Sequence, residues 1–244
     1  TILLTLLRGV LQNKDQYPGN LLLRIITASE SLTQDLRAAL QNHLELLDGY
    51  NIEDSHNVAK EICVTVDQYL LSLLPSETRE LFSDIRLKVT WPDFSKWYRY
   101  SIRDHQLSAT AHEAWAAIRV QICGATDGRE DPIYEESRTA FNSHILNWFS
   151  SLDEAKRFGL SSGLLAECLQ IFGSYRDWKR SEGLWDESDL TQQVLEHLAS
   201  DEGISKSTDL LIVDEAQDLS PDTLRAIIRS SACVNFQLEN LVKN

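Results

Sequence analysis

The 244-residue sequence predicts an α/β protein in which a parallel sheet flanked by helices is interrupted by a largely helical segment. Three observations carry that prediction. Short, mostly apolar runs at 21–27, 62–66 and 209–213 suit strands buried on both faces, as parallel strands are. Between 91 and 185 helical periodicity dominates and no convincing strand pattern occurs. The run at 209–213 ends in Asp214-Glu215, and α/β folds gather ligands at the carboxyl ends of their strands. The expected organisation is a first part of the core over 1–90, a helical insertion over 91–185, and the remainder of the core over 186–244.

The elements follow in chain order. Residues 2–12 place Leu3, Leu6, Leu7 and Val10 at helical spacing, with Ile2 and Leu11 widening the face, so a buried helix is expected. Tyr17-Pro-Gly-Asn20 punctuates the chain before the first strand. Ser29 and Ser31 are candidate N-caps, and Ser31 with Gln34 fits a capping box; Leu32, Leu36, Leu40 and Leu47 continue a helix. Residues 48–58 are polar and read as a loop. The strand at 62–66 leads into a helix over 67–74 that Pro75 stops, and 87–90 reads as extended.

Within the insertion, three sets recur at helical spacing: Trp115, Ile118 and Ile122; Phe141, Ile145 and Trp148; and Leu164, Cys168, Ile171, Tyr175 and Trp178. All six tryptophans lie between 91 and 185, and at this spacing core roles are expected ahead of base stacking. Asp186 can cap a helix running to about Ala199. Ser220 followed by Pro221 is an N-cap with proline at the first helical position, and a helix to about Ser231 follows.

Composition narrows the function classes. Hydrophobic residues make up 43%, enough for a packed core and more than a disordered tail carries. No apolar run approaches the roughly 20 residues of a membrane span, and no signal-peptide pattern is present, so no membrane partner is expected. Cys63, Cys123, Cys168 and Cys233 are widely spaced, without a zinc-ligand pattern, and an intracellular, reduced protein is the simple reading. The six histidines show no metal-ligand spacing, and Ser137 and Ser161-Ser162-Gly163 have no adjacent His/Asp partners for a nucleophile. A net charge of −14 argues against a generally basic nucleic-acid binder but leaves room for a local groove. The chain starts at Thr1 and holds no Met, which reads as a piece of something longer.

The chemistry-bearing motif is Leu210-Leu-Ile-Val-Asp214-Glu215, an apolar strand ending in two acids in the pattern of a Walker B strand. Adjacent acids at a strand end point in different directions. One can hold Mg²⁺ through its water shell while the other positions or deprotonates an attacking water. The plainer reading is a strand followed by a solvated acidic turn. The longer string Asp214-Glu215-Ala216-Gln217-Asp218-Leu219-Ser220-Pro221 is more specific, and it resembles motif II of the UvrD/Rep/PcrA group of superfamily 1 helicases.

The resemblance extends along most of 1–232. The stretch 22–27 with Ser29 and 32–40 is similar to the family's motif Ia. Val64-Thr65-Val66-Asp67-Gln68-Tyr69-Leu70 is a looser match to its next element, with Val66 where an aromatic is common. Trp115-Ala-Ala-Ile118 through Gly124 and Gly183-Leu-Trp-Asp186-Glu-Ser-Asp189-Leu190 resemble two further segments, although Cys123 stands where the family has Lys. The Walker A loop is absent from the sequence, yet 1–7 read like the helix that follows one, and the family's later motifs are missing.

What the resemblance implies is a P-loop NTPase (RecA-like) sheet carrying an insertion comparable to the family's subdomain 1B. ATP and Mg²⁺ are the implied cofactors. Asp214 and Thr1 are the implied metal ligands, Glu215 the group that activates water, and Gln217 the link between the γ-phosphate and nucleic-acid movement. Thr27 and Ser29 are implied at single-stranded nucleic acid, DNA ahead of RNA, while Asp218 is expected to be a structural hydrogen-bond acceptor. The implied function is an ATP-dependent helicase or translocase motor, with this chain alone inactive. The alternative is a helicase-like scaffold without catalysis that meets a protein partner through the Trp-rich insertion.

Overall fold

Three strands, β1 (Leu23–Thr27), β2 (Cys63–Thr65) and β3 (Leu210–Val213), form one parallel sheet in the order β2-β1-β3. The computed structural model describes residues 23–46, 51–102, 107–123, 160–200 and 210–231. Thr1, the helix expected over 2–12, the turn at 17–20 and the set Phe141, Ile145 and Trp148 lie outside them. The central strand β1 is the most buried: Ile25 and Ile26 are fully covered and Leu23 nearly so. β3 was expected to be buried on both faces. It is half-exposed instead, with Leu210 at 37% exposure, because it pairs with one strand only among the described residues.

Contacts divide the chain into two compact units. Unit 1 comprises 1–74, 197–219 and 224–244; unit 2 comprises 75–196 and 220–223. In unit 1, α1 (Glu30–Leu44) and α2 (Ile52–Ile62) pack Leu40, Leu44, Ala59 and Ile62 against Leu23, Ile25 and Cys63 of the sheet. Ser29, not Ser31, caps α1: its side chain accepts the Leu32 N–H, while Gln34 bonds Glu30 one turn back. α2 replaces the expected loop. Asn51 caps it through the Asp54 N–H, Glu53 and Asp54 suit the positive end of the helix dipole, and a buried serine, Ser55, interrupts the apolar face that would have announced it. α3 (Val66–Leu73) starts from a full capping box between Thr65 and Gln68.

Among its described residues unit 2 is helical apart from one extended contact. α4 (Ser76–Glu80) and a 3₁₀ turn at Ile85–Leu87 precede a parallel bridge between Lys88 and Trp185, so Leu87 closes a turn rather than starting the extended stretch expected at 87–90. α5 (Trp91–Ser101), α6 (Ala111–Ala116) and α7 (Ser162–Glu182) surround a core that includes Phe94, Trp97, Ile118, Ile122, Cys168, Ile171 and Tyr175. Between Ala117 and Ile122 the helix widens into a π-helical segment, with the Cys123 N–H donating to the Ile118 carbonyl at 2.8 Å.

Aromatic rings interlock through this core. Phe94 meets Trp115 at 4.8 Å and Tyr175 edge-on at 5.1 Å, and Trp97 stacks on Trp178 at 5.6 Å. Such pairs add about 0.5–1.5 kcal/mol each beyond the area they bury. α7 ends at Gly183 in the left-handed region (φ 64), where the Leu184 N–H reaches back to the Lys179 carbonyl at 2.8 Å. α8 (Glu187–Ala199) follows directly. α9 (Pro221–Arg229) begins with proline after Ser220, whose hydroxyl accepts the Thr223 N–H at 3.1 Å. Among the described residues no helix is long and apolar enough to cross a membrane.

Candidate active site at the sheet edge

The register of the sheet decides which residues meet. Thr27 pairs with Thr65, Ile26 pairs with Val213, and the Asp214 N–H donates to the Ile26 carbonyl at 2.9 Å. Thr27, Thr65 and Asp214 therefore come to the same carboxyl edge, the side on which parallel sheets collect ligands.

Each residue is held there by local chemistry. Thr27 is fully buried; its hydroxyl donates to the Ser29 carbonyl (2.8 Å), accepts the Ser29 N–H (3.1 Å) and lies 3.0 Å from the Thr33 hydroxyl. Its side chain shapes the turn, and of the two residues implied at nucleic acid it is Ser29 that stands exposed. Arg37 of α1 ties the neighbouring strand end: its Nε donates to the Cys63 carbonyl (2.8 Å) and a terminal nitrogen donates to Gln68 Oε1 (2.9 Å). Gln68 in turn accepts the Thr65 N–H. Thr65 and Arg37 were missed as site residues in the sequence. The Thr65-x-x-Gln68 capping box was the available signal for the first, and nothing short of the fold could assign the second.

Asp214 is half-buried, and its Oδ1 accepts the Glu215 N–H at 3.1 Å. Glu215 adopts φ 52 and ψ 43, and is the single non-glycine with positive φ among the described residues. For a residue with a Cβ this conformation costs on the order of 1–2 kcal/mol, a strain found mostly at functional positions. It turns the chain sharply after Asp214, into a 3₁₀ turn at Ala216–Asp218, and leaves the Glu215 side chain exposed with Gln217 Nε2 donating to its carboxylate. Asp218 departs from its expected role. It is exposed, and its carboxylate accepts no hydrogen bond among the described residues, while its backbone N–H closes the turn onto the Glu215 carbonyl at 2.9 Å.

The donors at this edge are oxygens. Among the described residues no three His, Cys, Asp or Glu side chains converge as a metal cage. A cation here would rest on Asp214 together with water and phosphate oxygens, the half-solvated oxygen shell that Mg²⁺ takes. The nearby Cys63 is no thiolate nucleophile: burial pushes its thiol up to about 11, and Arg37 only partly offsets this.

Unit 2 holds a second constellation, around the Asp186 and Asp189 element. Buried Lys179 donates to Asp186 Oδ2 at 2.7 Å and to Asp189 Oδ2 at 2.6 Å, and the Tyr175 hydroxyl donates to the same Asp186 oxygen at 2.8 Å. Asp186 Oδ1 caps α8 through the Ser188 and Asp189 N–H groups. Burial pulls Lys179 down, and the two carboxylates outweigh it, leaving the ammonium above its ordinary value. Burial likewise pushes Asp186 up, and Lys179 with the hydrogen bonds outweighs that, leaving the carboxyl below its ordinary range. Tyr175 is raised, first by burial and then by Asp186. These groups are closed on one another, so their arrangement is structural.

No family model, no curated protein and no solved structure matches this chain.

Proposed function

We propose that this chain is part of the ATP-hydrolysing motor of a nucleic-acid helicase or translocase with a P-loop type core. The observation that supports this most is the string Asp214-Glu215-Ala216-Gln217-Asp218 at the carboxyl edge of a parallel sheet, next to the end of β1 at Thr27 and on the same edge as Thr65, with a strained turn at Glu215. A solvated acidic turn without a role has no need of left-handed backbone at a glutamate.

In this reading Asp214 holds Mg²⁺, assisted by Thr1, which lies outside the described residues. Mg²⁺ held there would supply neutralisation of the phosphate charge of ATP. Glu215 accepts a proton from the attacking water and orients it. Gln217, bonded to Glu215, senses the occupied site and relays it to nucleic acid, with Ser29 on the neighbouring turn contacting a single strand. Such a motor requires a phosphate cradle that residues 1–244 do not themselves contain.

The test is ATP turnover by the longer protein, with and without single-stranded DNA and RNA. Turnover stimulated by single strands and lost in Asp214→Asn supports the motor. Turnover that is absent in a protein with no Gly-Lys-Thr/Ser loop before Thr1, or indifferent to Asp214, rejects it.

A further inference from the structure

A cleft of about 210 Å³ opens in unit 2, lined among others by Lys88, Trp91, Trp115, Arg119, Glu187 and Ser188. The Lys88–Trp185 bridge creates it. The Val89 N–H donates to the Trp185 carbonyl at 2.7 Å and the Trp185 N–H to the Leu87 carbonyl at 3.0 Å, and each of these two segments runs directly into a helix, α5 at Trp91 and α8 at Glu187. The first residues of both helices line the same space.

The walls are flat and rigid. Trp91 is stacked on His112 at 4.0 Å, and the Arg119 guanidinium lies over the Trp115 ring at 5.5 Å. Both indoles are half-buried, so each is anchored in the core while part of it stays accessible. Arg119 belongs to the π-helical segment, a distortion found frequently at functional sites. Glu187 is fixed from two sides, by Arg119 and by the Thr223 hydroxyl at 2.8 Å. Asp186, also in the lining, is fixed by Lys179 and Tyr175. The Lys179–Asp186 pair is buried and the Arg119–Glu187 pair half-buried, so the acidic side of the lining is held by partners on both residues.

Aromatic faces beside a guanidinium plane stack planar rings, and the Lys88 ammonium, a lining group that lies 5.8 Å over the Trp185 ring, suits a phosphate. A purely apolar ligand would not use the cations, and a bare anion would not use the indoles. We infer that this cleft binds one nucleotide unit, with the base against the Trp115–Arg119 tier and the phosphate at Lys88, presented as a free mononucleotide or within a single strand. Glu187 offsets Arg119 and Asp186 is already paired with Lys179, so the cleft carries little net charge, stacking carries most of the affinity, and the salt dependence is that of about one phosphate contact. The inference draws on unit 2 alone and stands whether or not the sheet edge hydrolyses ATP.

The test is tryptophan fluorescence of the whole chain, titrated with AMP and with a ten-residue oligothymidylate in EDTA, so that no Mg²⁺-dependent site contributes. Both probes are expected to quench emission and to compete with each other; quenching by the oligonucleotide alone assigns the site to a strand, and by AMP alone to free nucleotide. Lys88→Ala should weaken binding and remove about one unit from the slope of log affinity against log salt. Trp115→Leu should weaken it by about tenfold or more. Circular dichroism of Lys88→Ala, a change at the rim, controls for folding. The inference fails if neither probe quenches, if folded Lys88→Ala and Trp115→Leu both bind as the parent does, or if a short polyglutamate competes as well as AMP.

Discussion

The sheet edge of unit 1 and the helical core of unit 2 use acidic residues in opposite ways. Asp214, Glu215 and Asp218 stand half-buried or exposed on a short turn, and Glu215 is bonded mainly to its own neighbours. Asp186 is 6% exposed and is tied to Lys179, Tyr175 and the start of α8. Exposed carboxylates remain available to ligands and hold little together, because water screens them. A buried carboxylate is closed to ligands, and everything around it depends on its partners. Removing acids from the two regions should therefore separate function from stability.

Asp186→Ala should have the largest effect. It leaves Lys179 buried beside Asp189 alone, removes a hydrogen bond from Tyr175 and uncaps α8, so stability should fall by about 3–5 kcal/mol. A urea titration reads this as a lower midpoint. Lys179→Met combined with Asp186→Leu should fall less, since the two most buried charges leave together and only the more exposed Asp189 loses its cation. A single variant as stable as the parent would break the comparison.

The same network makes unit 2 sensitive to pH at both ends. The carboxyl of Asp186 lies below its ordinary value in the folded chain, so its contribution is complete above about pH 4 and is lost as pH falls through its folded value. Tyr175 is raised, so folding opposes its ionisation and stability declines as pH climbs above about 10. Lys179 is also raised; its contribution is complete below its ordinary value and is lost as pH rises through the folded one. Thermal midpoints followed by near-ultraviolet dichroism should fall at both ends, and the acid arm should shrink in the apolar double variant, with Asp84, Asp93, Glu113 and Glu167 supplying what remains.

At the sheet edge the expectation reverses. Glu215→Gln should lower ATP turnover of the longer protein by about two orders of magnitude, as loss of a positioned base does. Its urea midpoint should stay within about 0.5 kcal/mol of the parent, the range of surface changes. Near-parent turnover would remove Glu215 from the mechanism. The smallest effect belongs to Thr65→Ala, which deletes one helix cap and should cost about 1 kcal/mol. Thr65→Ser should recover most of it.

Much of unit 1 was legible as pattern. Although only β1 carries the burial expected of a central parallel strand and β3 stays half-exposed, the apolar runs that became β1, β2 and β3 announce themselves by composition. α2 did not, because Asn51, Asp54 and Ser55 gave its start a polar composition, and the covered side chain at Ser55 is not apolar. The choice between Ser29 and Ser31 as cap was settled by the Leu32 N–H, three residues after Ser29, which donates to the Ser29 hydroxyl. In unit 2 the α7 set Cys168, Ile171 and Tyr175 was readable by its period, and its packing beside Phe94 and Trp97 was not.

The amino-acid sequence by itself determined the local facts: which runs are apolar, where Ser220-Pro221 starts a helix, and that Asp214-Glu215 follows a strand. These depend on neighbours within a few residues, where side-chain chemistry and backbone preference act directly. The tertiary structure alone decided that β1 sits between β2 and β3, that Thr65 shares an edge with Asp214, and that Arg37 reaches Cys63 and Gln68. It also decided that Lys179 meets Asp186 and Asp189 across the turn at Gly183. Such pairings join positions far apart in the chain or across a reversal of direction. Hydrophobic burial drives them without direction, and the register and partners emerge only when the packed elements exclude every alternative.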